Sequence, residues 1–189
     1  MQSIILASQS PRRQELIHRI TDDVEVIVSE AKEILPAGIA PAEAPVYLAT
    51  LKAGAVAVNH PGRVVVGADT VVILDGKLLG KPKDKDDAVQ MLKALSGRVH
   101  TVVTGCCIIC GGKSRAFGEK TKVEFYPLTD REIEEYIATG DPFDKAGSYG
   151  IQGKGSLFVK GIEGDFFNVM GLPVGRLNRE LHDFLTADN

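Results

Sequence analysis

One long apolar segment, Arg63–Leu74, constrains the fold of this chain more than any other feature. Its residues are mostly Val, Ile, Leu, Ala and Gly, so they do not alternate between an apolar and a polar face. A strand with this composition is usually buried on both faces. The sequence therefore predicts a strand inside a sheet that is flanked by helices.

Strands and helices alternate around this segment, which indicates an α/β or α+β fold with a mixed sheet. The other predicted strands are Ile4–Ala7, Val24–Val28, Leu78–Leu79, Arg98–Ile109, Arg115–Tyr126, Ser156–Lys160 and Asp165–Asn168. The predicted helices are Pro11 to about Ile20, Pro41 to about Val58, Asp84–Leu95, Thr129–Ala138 and Pro173–Leu185. Ser10 is the expected N-cap of the first helix, and Thr129 with Glu132 predicts a capping box on the fourth.

Composition excludes some classes of partner. The chain has 189 residues and a net charge of −3, and it has no run of Lys and Arg. This argues against nucleic acid as the main partner, whereas a small anionic ligand needs only a few cations. No apolar stretch is long enough to cross a membrane, and we expect no signal peptide. The cysteines at 106, 107 and 110 are expected to be reduced thiols in a cytoplasmic protein rather than a zinc site.

Asp69 is the one carboxylate inside the apolar segment. A buried ionised carboxylate is costly unless it is paired or binds a metal, so we predict a metal ligand or a general base. A structural ion pair with a buried Lys or Arg is the alternative. Gly67 is expected to allow a ligand to approach the backbone closely.

Cations with unusual surroundings occur at two other places in the sequence. Lys52 has apolar neighbours three and four positions away on its predicted helix, so it needs an anion such as Asp69 or a phosphate unless it snorkels to the rim. Arg12 and Arg13 lie in the first helical turn, where cations oppose the helix dipole unless an anion joins them. A phosphate cradle and a solvated surface pair are both open interpretations for these arginines.

A glycine-rich loop from Gly140 to Gly155 adds further polar groups, and Lys81 follows the predicted hairpin after Leu74. Such loops close backbone N–H groups on phosphates or bases, although a surface loop is the alternative. Together these features predict phosphoryl chemistry on a small anionic substrate that is held with a divalent metal.

Seven segments, in order along nearly the whole chain, resemble the Maf family. They are Leu6–Leu16, Leu48–Ala53, Val66–Val72, Gly80–Pro82, Leu95–His100, Asp144–Gly153 and Val169–Pro173. The resemblance implies a single Maf-like domain over residues 1–189, with an α/β, ITPase-like fold. In that fold an elongated mixed sheet is flanked by helices, and two lobes surround a central cleft. It also implies hydrolysis of a nucleoside triphosphate to a monophosphate and pyrophosphate, with Mg²⁺ or Mn²⁺ as cofactor.

Roles for individual residues follow from the same resemblance. It implies that Asp69 is the catalytic proton acceptor and that Asp69 and Glu33 are the metal ligands. The substrate-binding residues that it implies are Ser8, Arg12, Arg13, Lys52, Thr70, Lys81, Lys145 and Gln152. The sequence from Tyr149 to Gly153 looks like the subgroup that acts on dTTP and UTP, as a house-cleaning enzyme of the nucleotide pool.

Two other functions are open at this point: a nucleotide-binding regulator of cell division without turnover, and a general phosphatase. An isolated carboxylate in an apolar strand favours an enzyme. The expected partner is a small nucleoside triphosphate rather than nucleic acid or a membrane, and a homodimer is possible.

Overall fold

The computed structural model describes residues 3–187, which form seven strands and six α-helices. The strands are β1 (Ile4–Ala7), β2 (Val24–Val26), β3 (Val64–Leu74), β4 (Lys77–Leu79), β5 (Val99–Cys110), β6 (Lys113–Phe125) and β7 (Val159–Glu163). The helices are α1 (Pro11–Ile17), α2 (Ala44–Ala57), α3 (Lys85–Leu95), α4 (Asp130–Ile137), α5 (Phe166–Met170) and α6 (Val174–Thr186). Three 3₁₀ segments follow α4, at Asp141–Asp144, Ala146–Ser148 and Gly153–Phe158.

All seven strands belong to one mixed sheet, in the order β2-β1-β3-β5-β6-β7, with β4 paired to β3. Strand β1 is parallel to both β2 and β3, whereas β4 and β7 are antiparallel to their partners. The register places Ala7, the last residue of β1, opposite Gly67. The predicted α/β fold with a mixed sheet and flanking helices is confirmed.

The described chain divides into two compact units. Unit 1 comprises residues 3–69, 104–119 and 171–187. Its core includes apolar side chains of β1, α2 and β3, among them Ile5, Ala53 and Val65. Helix α2 lies so close to β3 that a Cβ atom on Gly67 would stand 2.8 Å from the Ala53 backbone nitrogen. The close approach at Gly67 is therefore made by a helix, and the expected approach of a ligand there is wrong.

Unit 2 comprises residues 70–103 and 120–170. Its core joins side chains of α3, α4 and the sheet, including Leu92, Phe125 and Tyr136. The capping box at the start of α4 is confirmed, because Thr129 Oγ1 accepts from the Glu132 backbone nitrogen and Glu132 Oε2 accepts from that of Thr129. Since the chain forms two units, a single domain over residues 1–189 stays a prediction; residues 1, 2, 188 and 189 lie outside the described part.

The strand expected at Asp165–Asn168 is wrong, and the strand expected at Ser156–Lys160 is β7, which begins only at Val159. Residues Gly153–Phe158 form a 3₁₀ segment, in which the Ser156 hydroxyl donates to the Gly153 carbonyl over 2.6 Å. Residues Phe166–Met170 form a helix, and the carboxylate of Asp165 accepts from the Phe167 backbone nitrogen over 2.8 Å. Such hydrogen bonds between neighbouring residues compete with the backbone hydrogen bonds that would pair a strand with the sheet, and here the chain turns instead.

None of the helices in residues 3–187 is long and apolar enough to span a membrane.

Candidate active site

Lys52 of helix α2 lies between two carboxylates in unit 1. Its Nζ atom is 2.6 Å from Asp69 Oδ1 and 3.1 Å from Glu33 Oε1. The side chains of Lys52 and Asp69 are only 13% and 12% exposed, whereas that of Glu33 is 51% exposed. We call these three residues the carboxylate–lysine cluster. The prediction that Lys52 leaves an apolar helix face to meet an anion is confirmed.

The local fold explains how the cluster forms. Asp69 lies in the middle of β3, where residues 64–69 are all buried. Helix α2 packs on β3 at Gly67, which brings Lys52 within reach of the carboxylate two residues farther along the strand. Glu33 comes from the irregular segment between β2 and α2. The alternative interpretation of Asp69 was a structural ion pair with a buried lysine or arginine, and the structure contains such a pair with Lys52. A catalytic role for Asp69 therefore stays a prediction.

Ser8, Arg12 and Arg13 lie at the carboxyl end of β1 and the start of α1. Ser8 is 6% exposed, and its Oγ accepts from the Ser10 backbone nitrogen over 3.2 Å. Ser10 occupies the predicted N-cap position, but its own side chain makes no capping bond. Because carboxyl ends of parallel strands are where α/β sheets bind ligands, Ser8 is well placed for a substrate role.

Arg13 is half-buried, and its Nε donates to the Gly171 carbonyl over 2.8 Å. Burial lowers the pKa of Arg13, the carboxylates of Asp69 and Glu33 raise it, and the neighbouring Arg12 lowers it further. The guanidinium nevertheless stays charged, since an arginine does not deprotonate in a protein. Arg13 is therefore a half-buried positive charge near the carboxylate–lysine cluster rather than a fully solvated surface group.

The donor atoms of this cluster fit a divalent metal of the hard type. Asp69 and Glu33 supply carboxylate oxygens, and both contact the same ammonium group. Within residues 3–187 no group of three or more His, Cys, Asp or Glu side chains is arranged to hold a metal. Mg²⁺ commonly binds through one or two carboxylates together with substrate phosphates and water, so two carboxylates suit it better than a closed protein cage would.

Unit 2 holds the other predicted substrate-binding residues. Thr70 follows Asp69 on β3 and is half-buried, and Lys81 is exposed after β4. The Gly80 carbonyl accepts from the Gly147 backbone nitrogen over 3.0 Å. This bond joins the segment that carries Lys81 to the glycine-rich loop.

The glycine-rich loop is ordered by its own contacts. Lys145 Nζ donates to the Asp141 carbonyl and to Asp144 Oδ1, both over 2.6 Å. Tyr149 and Ile151 are 5% and 7% exposed, so the alternative of a simple surface loop is wrong. Gln152 is exposed, and its side-chain amide has no hydrogen-bond partner within residues 3–187.

Two features of the structure were not predicted from the sequence. The Gly171 carbonyl holds Arg13 although the two residues are far apart along the chain. His100 is 2% exposed on β5, and its Nε2 lies 2.7 Å from the Tyr149 hydroxyl in the glycine-rich loop. The sequence signal for the second contact was one histidine in β5, whose other residues are Val, Thr, Gly, Cys and Ile.

Comparisons with known proteins agree over nearly the whole chain. The model of the family described as "Maf-like protein" matches residues 3–184. A Bacillus cereus protein named dTTP/UTP pyrophosphatase is 50% identical over 184 residues, which cover 97% of this chain and 96% of that protein. A Bacillus cytotoxicus protein of the same name has the same identity and coverage. Among solved structures, a HAM1 protein from Coxiella burnetii has a similar fold, with a TM-score of 0.52 at 15% identity over 97% of this chain and 100% of that one.

Proposed function

Since this chain belongs to the Maf-like protein family, we propose that it is a nucleoside triphosphate pyrophosphatase that hydrolyses dTTP and UTP. The products are the nucleoside monophosphate and pyrophosphate. The observation that carries this conclusion is 50% identity, over nearly the full length of both chains, to proteins named for this activity. The proposed role is removal of surplus or non-standard nucleotides, in the cytoplasm where such nucleotides are found.

The reaction forms a bond between a water oxygen and the α-phosphorus and breaks the bond from that phosphorus to the bridging oxygen. Asp69 is the proposed acceptor of the water proton. Its position supports this role, because it is nearly buried and its Oδ1 is held by Lys52 at 2.6 Å. A carboxylate that is fixed in this way is oriented before the substrate arrives, which favours general-base catalysis.

A divalent metal, held by Asp69 and Glu33, would neutralise charge on the phosphates and on the departing pyrophosphate. The cations of the chain act in the same direction. Lys52 and Arg13 are the proposed phosphate contacts of unit 1, together with Ser8 and Arg12. Lys81 is the proposed contact of unit 2 that stabilises the leaving group, a role that rests on the family resemblance and with which its exposed side chain is compatible.

Base recognition is proposed for the glycine-rich loop, with Thr70 and Lys145 as further substrate contacts. Gln152 has an exposed amide, which offers an acceptor and a donor to the N3–H and O4 of uracil or thymine. Lys145 already donates to Asp141 and Asp144, so its contribution is to hold the loop as well as to add positive charge.

The test is a pyrophosphate-release assay with UTP, dTTP, CTP, dATP and dGTP, with and without Mg²⁺ or Mn²⁺. We expect metal-dependent release of pyrophosphate, with UTP and dTTP giving the highest kcat/KM. Release of orthophosphate would indicate a general phosphatase. Nucleotide binding with no turnover under any of these conditions would indicate a regulator and contradict the proposal.

A further inference from the structure

His100 and Tyr149 form a buried polar pair inside the aromatic core of unit 2. Their rings meet edge to face with centroids 5.3 Å apart, and both rings also pack on Phe125, at 4.9 and 4.7 Å. His100 lies on β5, which belongs to the sheet, whereas Tyr149 lies in the glycine-rich loop. The pair therefore links a rigid element to the loop that carries Gln152.

The direction of this hydrogen bond follows from the partners that each group has. Within residues 3–187, His100 Nδ1 has no hydrogen-bond partner, and the Tyr149 hydroxyl makes no second hydrogen bond. If the Tyr149 hydroxyl donates to Nε2, only the Nδ1 hydrogen is left without an acceptor. The opposite direction would leave both the Tyr149 hydrogen and the Nδ1 lone pair unsatisfied, which costs more. Tyr149 is therefore the donor, and His100 is neutral with its hydrogen on Nδ1.

Packing alone does not explain a histidine at position 100, because its Nδ1 has no hydrogen-bond partner within residues 3–187. An apolar side chain of similar size would avoid the cost of burying Nδ1 unsatisfied. What histidine adds at this position is the acceptor for Tyr149. The strand thus keeps a costly polar group whose one hydrogen bond within residues 3–187 is with the loop.

The residues next to Tyr149 are fixed by similar contacts. The Gly150 backbone nitrogen donates to the Tyr136 hydroxyl over 3.1 Å, and the Ser148 hydroxyl donates to Met91 Sδ over 3.1 Å. Ser148 is fully buried and has a φ of 62°, a left-handed conformation that a residue other than glycine adopts at a cost. Side chains from β5, α4 and α3 therefore hold the backbone immediately before Gln152.

We propose that His100 and Tyr149 are positioning residues that set the base selectivity of the enzyme, by fixing the loop backbone from which Gln152 meets the pyrimidine. This inference rests on the proposed function. The Gln152 amide can turn over to read cytosine as well as uracil, so discrimination against CTP depends on the backbone N–H and carbonyl groups of the loop. These groups offer the base one fixed pattern of donors and acceptors only if the loop is held in place. The buried pair, three residues before Gln152, supplies that restraint.

The test compares kcat/KM for UTP with kcat/KM for CTP in the wild type and in the variants Tyr149→Phe and His100→Leu. Tyr149→Phe keeps the ring packing and removes only the donor. We expect the UTP-to-CTP ratio to fall about fivefold in both variants, the effect of one net hydrogen bond. His100→Gln, whose amide oxygen can accept from Tyr149, should restore most of the ratio.

Ile133→Val is the matched control for loss of stability, because Ile133 lies in the same core and makes no contact of this kind with the loop. It should lower the thermal midpoint and leave the UTP-to-CTP ratio unchanged. A fall of less than about threefold in Tyr149→Phe, or an equal fall in Ile133→Val, would overturn the inference. So would a wild type that hydrolyses UTP and CTP equally well. A wild type that releases no pyrophosphate from UTP would instead contradict the proposed function.

Discussion

At the scale of single residues, Lys52 determines how the carboxylates of unit 1 are arranged. One ammonium group contacts both Asp69 and Glu33, so two acidic side chains stay close together without a large repulsion. A divalent metal would take the place of the Lys52 ammonium beside the two carboxylates, and a triphosphate would take the place of the carboxylates beside Lys52. Each group would therefore keep a partner of opposite charge. The free protein thus holds its acidic and basic groups ready in one place.

Asp69→Asn is expected to keep the fold and to lower kcat by about 10²–10⁴-fold, because the amide cannot accept the proton. The amide oxygen can still accept from Lys52, and Glu33 still balances its charge. Asp75→Asn is the matched control, since Asp75 is an exposed carboxylate paired with Arg98. Near-wild-type turnover in Asp69→Asn, with circular dichroism unchanged in both variants, would remove Asp69 from the mechanism.

His100 predicts how the stability of the protein depends on pH. Burial lowers the pKa of His100 from 6.5 to about 4. The unfolded chain therefore binds a proton on His100 at a higher pH than the folded chain does. The contribution of neutral His100 to the free energy of unfolding is fully present above about pH 6.5 and is lost as the pH falls toward 4. We expect the free energy of unfolding to drop by about 2 kcal/mol between about pH 7.5 and about pH 5 from this group.

Urea unfolding at both pH values, for the wild type and for His100→Gln, measures this drop. The variant has no imidazole to protonate, so between the two pH values it should lose about 2 kcal/mol less of its free energy of unfolding than the wild type does. Equal losses in the two proteins would show that His100 does not contribute.

At the scale of elements, the packing of α2 on β3 determines where Lys52 meets Asp69. Gly67→Ala places a methyl group against the Ala49 carbonyl and the Ala53 nitrogen, so we expect the free energy of unfolding to fall by about 1–3 kcal/mol. Gly54→Ala on α2 is the matched control, because no atom lies within 4 Å of its added Cβ. That variant should gain about 0.5–1 kcal/mol, since alanine favours a helix interior. Chemical denaturation measures the free energy of unfolding of both variants. Changes of the same sign in the two variants would contradict this packing.

Elements that depend on local signals were predictable from the sequence. The composition of β3 identified a buried strand, and Thr129 with Glu132 identified the start of α4. The 3₁₀ segment Gly153–Phe158 and the helix Phe166–Met170 were not predicted, because short side-chain bonds such as that of Asp165 decide between a strand and a turn there. The reason for Gly67 was also missed, since its neighbour is a helix that is distant along the chain.

At the scale of the whole molecule, the predicted site residues divide between the two units. Lys52 and Asp69 belong to unit 1, whereas Lys81 and Gln152 belong to unit 2. The sequence identified the acidic and basic residues individually, and the helical spacing around Lys52 indicated an anionic partner, with Asp69 and a phosphate both open; the structure gives Asp69. The pair of His100 with Tyr149 required the structure, because no local pattern joins positions 49 residues apart. The cleft between two lobes, the metal and the homodimer stay predictions.

One measurement tests directly whether water attacks the α-phosphorus of UTP or dTTP. UTP is incubated with the wild-type protein and Mg²⁺ in ¹⁸O-labelled water, and the products are identified by mass spectrometry. We predict UMP that carries one ¹⁸O atom together with unlabelled pyrophosphate. Label in pyrophosphate, or UDP with labelled orthophosphate as the products, would contradict the account.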